Sequence, residues 1–394
     1  MSPFTTIVRR TEGAASAPDL LPLPARLRKT LRRGIGADAV ALLLVAACCA
    51  SSQTVFASHS VTPPAEAYAS GWSLYLDNDR LSLTESDEDY TAGFSLVLAG
   101  RRARDHRLSL DGMLGRVNRW LGVQEHFAGE TTQRYHSFGF GMAAFTPKEI
   151  SDPAPRFDQR PYACLAFMHN TRQTVILARD ASYLTSLVAG LLGTNLCEGI
   201  QDFIHDATNG VEARGWSHQI SEGGEPTLLW RGGRQKLIHE GLSGDSHHQI
   251  TWTADAQLGY VTDIGAGISW RWGNLRTPWW SFNPQHAEYA PLGPPQIPRQ
   301  PVAAHQAVES YVWAGGTVRY RLYNALLQGQ FRDSEVEISS GRLNSALLEL
   351  WMGFAHEFRS GYELSLSIRV RSNEFDGPGE KSIAWGSLAF RHLF

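Results

Sequence analysis

Two short stretches of the chain hold the residue types that water-mediated ester hydrolysis needs. In QDFIH, residues 201–205, Gln201 and His205 stand four apart and share one face of a helix. Histidine titrates near neutrality, so it can take a proton from water at physiological pH. In LYLDNDRLSLTESDEDYTAG, residues 74–93, an alternating strand breaks into carboxylates and hydroxyls at Asp77, Asn78 and Asp79, then resumes after Thr91. Asn78 and Asp79 offer oxygen ligands to a hard cation, but this is no EF-hand loop, because Ser82 stands where that loop needs glycine. A third region, FTP (145–147) followed by DQRPYA (158–163), offers Arg160 as an anchor for an anionic group, and GWSHQ (215–219) with Glu222 follows the histidine. Taken singly, each motif has a plainer explanation: a solvated acidic loop, a structural arginine beside Pro161, a structural helical histidine.

The elements that must position these residues are strands. Tyr362, Leu364, Leu366, Ile368 and Val370 alternate with Glu363, Ser365, Ser367, Arg369 and Arg371, and Ile264 to Trp272 and Ile250 to Tyr260 repeat the pattern. One face is apolar and ends in aromatics; the other is glycine, hydroxyl and charge. A soluble sandwich would turn the apolar face inward and an outer-membrane barrel would turn it to lipid, and period alone does not separate them. The terminal GSLAFRHLF ends an amphipathic strand on Phe394, like the assembly signal of outer-membrane barrels, although His392 departs from that pattern. The expected fold is therefore an all-β transmembrane barrel of about twelve antiparallel strands with both termini in the periplasm. Strands are predicted near 70–79, 90–100, 134–146, 161–177, 182–193, 225–240, 248–260, 263–273, 309–322, 343–358, 361–373 and 382–394. Two periplasmic connections are then unusually long, 101–133, where DGMLGRVNRWLG reads as an amphipathic helix, and the proline-rich 274–308. In the third outer loop a short helix is expected, capped by Asn195 with Glu198 three residues on and stopped at Asn209-Gly210. Its Ile200, Phe203 and Ile204 supply apolar surface for docking on the barrel wall.

The N-terminus reads as an export signal over residues 1–57, with seven basic residues before the apolar run AVALLLVAACCA and cleavage after Ala57. Lipidation at Cys48 is the rival processing, and residues 58–69 form a short periplasmic lead before a barrel domain spanning 70–394. Cleavage moves the formal charge from −3 to −7, which argues against nucleic acid as a partner. Only Cys164 and Cys197 then remain; one disulfide is possible outside the cytoplasm, but spacing does not establish it.

The ordered set N-D (78–79), D-Y-T-A-G (89–93), T-P (146–147), R-P-Y-A (160–163), G-x-Q-x-x-x-H (199–205) and G-W-x-x-Q (215–219), with the barrel-type terminus, resembles the lipid A 3'-O-deacylase family. The resemblance runs from about 70 to 394. It implies a twelve-stranded outer-membrane enzyme of Gram-negative bacteria that removes the ester-linked acyl chains at the 3' position of lipid A, with calcium as cofactor. It also implies a catalytic set of Asn78, Asp79, Thr91, Gln201 and His205, with Asp79 and Asn78 holding the metal and Arg160 and Tyr162 meeting lipopolysaccharide. A family carboxylate follows the histidine by six or seven residues; here these are Val211 and Glu212, so Glu212 is the choice. The sequence departs from the family at Gln159, which splits the usual D-R-P-Y-A, and at Cys164, where glycine is common. Expected partners are outer-membrane lipid and the barrel assembly machinery. The alternatives are an outer-membrane phospholipase and a non-catalytic porin or adhesin barrel.

Overall fold

Twelve strands obey the period-two pattern and close on themselves in sequence order. They are β1 (Gly71–Asn78), β2 (Asp89–Ala99), β3 (Gln133–Thr146), β4 (Ala163–Ile176), β5 (Ala181–Leu192), β6 (Glu225–Ser243), β7 (Ser246–Gly259), β8 (Val261–Asn274), β9 (Ser310–Asn324), β10 (Ala346–Glu357), β11 (Tyr362–Arg371) and β12 (Ile383–Leu393). The computed structural model describes residues 65–82, 89–123, 132–208, 212–244, 246–287, 308–377 and 381–394. The export signal expected over 1–57 and most of the lead over 58–69 lie outside these residues, as do Asn209 and Gly210. Every neighbouring pair is antiparallel, and β1 meets β12 from Gly71 opposite Leu393 to Asn78 opposite Gly386, which removes all sheet edges.

The apolar parity faces outward. Ile264 is 60% exposed and Ile268 and Trp272 are similarly open, whereas Asp263, Ser269 and Arg271 between them are buried. That inversion of the soluble pattern is what a lipid-facing wall requires, and it excludes the sandwich. No described helix is long and apolar enough to cross a membrane; the crossing is made by strands.

The inward face is filled by charge. Arg231 and Arg319 converge on Asp255, Arg319 and Arg321 on Asp263, Arg321 and Arg371 on Glu374, and Arg369 and Arg371 on Glu349. The proline-rich connection after β8 does not stay at the rim: its described part turns into the lumen, where Trp279, Trp280, Pro284, Gln285 and His286 are buried. Arg231 donates to the carbonyls of Gln285 and His286, and Arg369 to that of Pro284. Glycines make the room, since a Cβ at Gly233 would sit 2.7 Å from the His286 ring and one at Gly267 2.5 Å from Gln285 Oε1. A barrel whose lumen is crossed by paired arginines and a folded-in segment does not favour a porin.

Three helices matter. α1 (Arg101–Asp105) and α2 (Asp111–Trp120) fall in the connection after β2, where the amphipathic helix was expected. α3 (Leu196–Thr208) falls in the loop after β5, as its capping pattern predicts.

Candidate active site

β1 carries Asn78 out of the barrel on the lipid-facing parity of Trp72, Leu74 and Leu76. The chain then folds into a single 3-10 turn, Asp79–Leu81, capped by Asn78, whose Oδ1 accepts from Arg80 N at 2.8 Å. Asp79 Oδ1 accepts from the same amide at 2.8 Å, and Ser82 Oγ donates to the Asp79 carbonyl at 2.5 Å. These bonds hold the Asp79 carboxylate in a buried position. The turn passes directly over β12: a side chain at Gly386 would collide with the Leu81 backbone. Lys381, at the entrance to β12, feels the Asp79 charge; burial is the larger influence and lowers its pKa, while the carboxylate opposes that shift.

Thr91 sits on the wrong parity of an ideal β2 to meet Asn78. The structure resolves this with a register irregularity between Asp89 and Ala92 in the β2–β3 ladder. Thr91 Oγ1 lies 2.6 Å from Thr146 Oγ1, on the outward parity of β3, and its carbonyl accepts from Asn78 Nδ2 at 2.6 Å. Asn78, Asp79 and Thr91 are thereby gathered at one place on the outer wall.

α3 packs against the same outer face. Cys164, on the outward parity of β4, is disulfide-bonded to Cys197 in the first turn of α3, with Cα atoms 5.7 Å apart. Ile200 packs with Ala92, Phe94, Met142 and Ala144 around that bridge. Gln201 Oε1 accepts from Trp216 Nε1 at 2.8 Å, while its Nε2 is buried with no hydrogen-bond partner among the described residues. Trp216 in turn packs on Tyr162, ring centroids 4.8 Å apart, and the Tyr162 hydroxyl donates to the Ile150 carbonyl at 3.1 Å. Burial pushes the Tyr162 phenol up to about 12, so it stays neutral and acts as a prop for Trp216. His205 follows Gln201 by one helical turn; its side chain lies outside the described residues.

Two expected site residues have other partners. Glu212 is exposed and bound to Arg214 by a pair of hydrogen bonds of 3.0 and 2.8 Å. Arg160 is buried at the mouth of the lumen, paired with Glu374 and stacked over the Phe145 ring. It joins the luminal charge network and does not present its guanidinium to a substrate. Two residues on, Tyr162 packs on the opposite side of the wall, with Trp216 in the outer cluster. Sequence reading did not single out Thr146, Trp216, Lys381 or Gly386, which the structure sets against Thr91, Gln201, Asp79 and Leu81 respectively. Thr146 and Trp216 had a signal, since they lie inside the quoted T-P and G-W-x-x-Q motifs.

The donors around Asp79 are all oxygen: one carboxylate, the Asn78 amide and main-chain carbonyls. That chemistry suits a hard cation such as calcium. Among the described residues no group of three or more His, Cys, Asp or Glu side chains gathers anywhere.

A closed barrel that turns apolar residues outward, fills its own lumen and holds a polar cluster on its lipid-side wall is an outer-membrane protein. The sequence matches the family described as Outer membrane protein LpxR over residues 40–394, and the chain belongs to that family, the lipid A 3'-O-deacylase family that its motifs resemble. Among solved structures it is similar to LpxR from Salmonella typhimurium, at 15% identity and a TM-score of 0.63, over 82% of this chain and all of that one. The β domain of the Bordetella autotransporter BrkA matches at 12% identity and a TM-score of 0.38, over 83% of this chain and all of that one. The translocator domain of NalP from Neisseria meningitidis matches at 12% identity and a TM-score of 0.36, over 94% of this chain and all of that one. No curated protein sequence matches the chain.

Proposed function

We propose that this protein is a carboxylic ester hydrolase that removes the acyl chains at the 3' position of lipid A within the outer membrane. The observation that carries the reading is the meeting of two chain segments on the outer wall. Asn78, Asp79 and Thr91 are locked together at the ends of β1 and β2, and the Cys164–Cys197 bridge holds the helix that contains Gln201 and His205 against the same face. A substrate whose acyl chains remain in the leaflet can reach such a site sideways, without entering the lumen.

His205 acts as the general base that takes a proton from water. Gln201 has a division of labour: its carbonyl oxygen is fixed by Trp216, which leaves the amide nitrogen to donate to the ester oxygen. Thr91 and Thr146 keep Asn78 in place. Asp79, with Asn78 and a main-chain carbonyl, would hold calcium, and the chemistry it would supply there is polarisation of the ester carbonyl. The protein reaches this location through its N-terminal export signal, and the barrel assembly machinery inserts it by its terminal strand.

The test is mass spectrometry of lipid A from cells that express the wild type or His205→Ala. Wild-type cells should lose the mass of the 3' acyl chains and the variant should not, while both barrels show heat-modifiable gel mobility. Product formed equally by the variant would remove His205 as the base. Phospholipid hydrolysis in place of lipid A deacylation would move the assignment to a phospholipase.

A further inference from the structure

On a barrel wall that faces lipid, polar side chains need a reason. Between β3 and β5, on the half nearer the periplasm, the outward parity carries His136, Asn170, Arg172 and Thr185, where other strands present residues such as Ile264, Ile268 and Met352. The reason is that the connection after β2 climbs back up the outside of the barrel and covers them. His106 stacks on Phe138 with centroids 4.7 Å apart, and Asn170 accepts from Leu110 N at 2.6 Å. Asp111 at the start of α2 binds Arg172 through Nε and Nη2 at 3.2 and 2.7 Å. Asn118 on the same helix face donates to Thr185 Oγ1 and accepts from Trp230 Nε1. Each polar group of the wall thus finds a partner away from hydrocarbon.

The free face of this segment has a different chemistry. Residues 101–123 contain six arginines and only two aspartates. Leu108 and Met113 are exposed and Trp120 is 81% exposed, so arginine and large apolar side chains share the surface, the composition of a helix lying in the membrane interface. Beside it, between α1, the lead before β1 and the foot of β3, lies an open cleft of about 650 Å³ lined by Glu66, Arg101, Arg104, Arg134, His136 and Arg172. The acidic charge in the cleft is already satisfied, because Glu66 binds the backbone amide and Nδ1 of His136. Arg172 is committed to Asp111 and Arg104 to Asp105, but among the described residues the side chains of Arg101 and Arg134 have no hydrogen bond or ion pair.

We propose that this cleft binds the phosphate-bearing headgroup of an anionic phospholipid in the periplasm-facing leaflet, with α2 embedded beside it in the membrane interface. The occupant follows from placement and charge complementarity: the cleft opens on the outside of the wall at its periplasmic end, where phosphodiester headgroups lie, and its uncommitted charge is positive. Arg101 and Arg134 engage the headgroup anion, Arg104 adds its charge beside them while paired with Asp105, and Leu108, Met113 and Trp120 contact the adjoining chains. The site is on the leaflet opposite Asp79 and is independent of the catalytic reading.

The test is native mass spectrometry of the whole folded barrel released from nanodiscs of phosphatidylglycerol or of phosphatidylcholine. The wild type should retain phosphatidylglycerol in preference to phosphatidylcholine. The triple change Arg101→Ala, Arg104→Ala and Arg134→Ala should weaken that retention on the order of a hundredfold, from the usual gain per basic side chain at an anionic surface. The corresponding triple lysine variant should keep most of it, and Arg359→Ala, in the turn after β10, should leave it unchanged. All three arginines are at the surface, and heat-modifiable mobility checks that each variant is folded. Equal retention of the two lipids, undiminished retention in the triple alanine variant, or displacement by inorganic phosphate alone would overturn the proposal.

Discussion

Replacing Cys164 and Cys197 by alanine should loosen the site without unfolding the barrel, and the structure sets the size of the effect. The bridge joins residues 33 apart in sequence, so a loop-entropy account of global unfolding gives about 3.7 kcal/mol. That figure does not govern the docking of α3. β4 and β5 stay paired when the helix lifts, and Gly193 N already donates to the Cys164 carbonyl at 2.7 Å. The loop closed by the bridge in that event runs only from Gly193 to Cys197. The same relation then gives about 2 kcal/mol, or roughly a thirtyfold increase in helix undocking. Alanine is preferred to serine, because Cys164 and Cys197 are both buried and alanine adds no polar group to that apolar cluster. The assay is lipid A deacylation against temperature, with gel mobility of the barrel followed in parallel. The temperature at which activity falls should drop in the double variant, and in wild type treated with reductant, while the barrel transition moves little. Superposable activity profiles for variant and wild type would refute the view that the bridge holds α3 on the wall.

Other outcomes can be checked in the same system. Asp79→Asn keeps the shape of the turn and removes its charge, so activity should fall at least a hundredfold and added calcium should not restore it; chelation of the wild type should be silencing and reversible. Trp216→Phe leaves Gln201 Oε1 buried without its donor, a defect of about 1–3 kcal/mol. It should lower kcat about tenfold or more with little change in KM. Gly386→Val drives the Leu81 backbone off β12 and should disable deacylation in a barrel that still assembles. In planar bilayers the wild type should pass no steady ionic current, because Arg231, Arg319 and the segment around His286 occupy the lumen; a porin-sized conductance would contradict that packing.

The strands were legible because a lipid-facing wall writes an unbroken period of two, and each of the twelve windows falls on a strand within a few residues. Asn78 was legible for the same reason, as a polar residue continuing the parity of Trp72 and Leu76. Thr91 looked misplaced by that rule, and the rule itself was sound: the irregularity near Asp89 is a local exception that sequence parity does not encode. Arg160 was read from its charge within DQRPYA and Glu212 from its spacing after the histidine, and neither charge nor spacing carries a direction. One turns into the lumen to meet Glu374, 214 residues away, and the other out to Arg214.

The harder omission concerns segments that join strands without belonging to them. The connection containing Trp279 to His286 read as a long proline-rich periplasmic segment and the one containing α2 as an amphipathic helix with no stated destination, yet one fills the lumen and the other covers the outer wall. Neither destination is set by local propensity; each is set by polar groups waiting on the barrel. Asp255 and Asp263, placed inward by strand parity, require partners in a space that water alone does not fill. Asn170 and Arg172, placed outward among lipid-facing residues, require a cover. A polar residue on the outward parity of a strand is therefore the usable signal, and it has two outcomes in this protein. At the periplasmic half it is neutralised by α2, and at the outer end Asn78 and Thr91 are bonded to each other and to Thr146, on the stretch of wall against which Ile200 of α3 also packs.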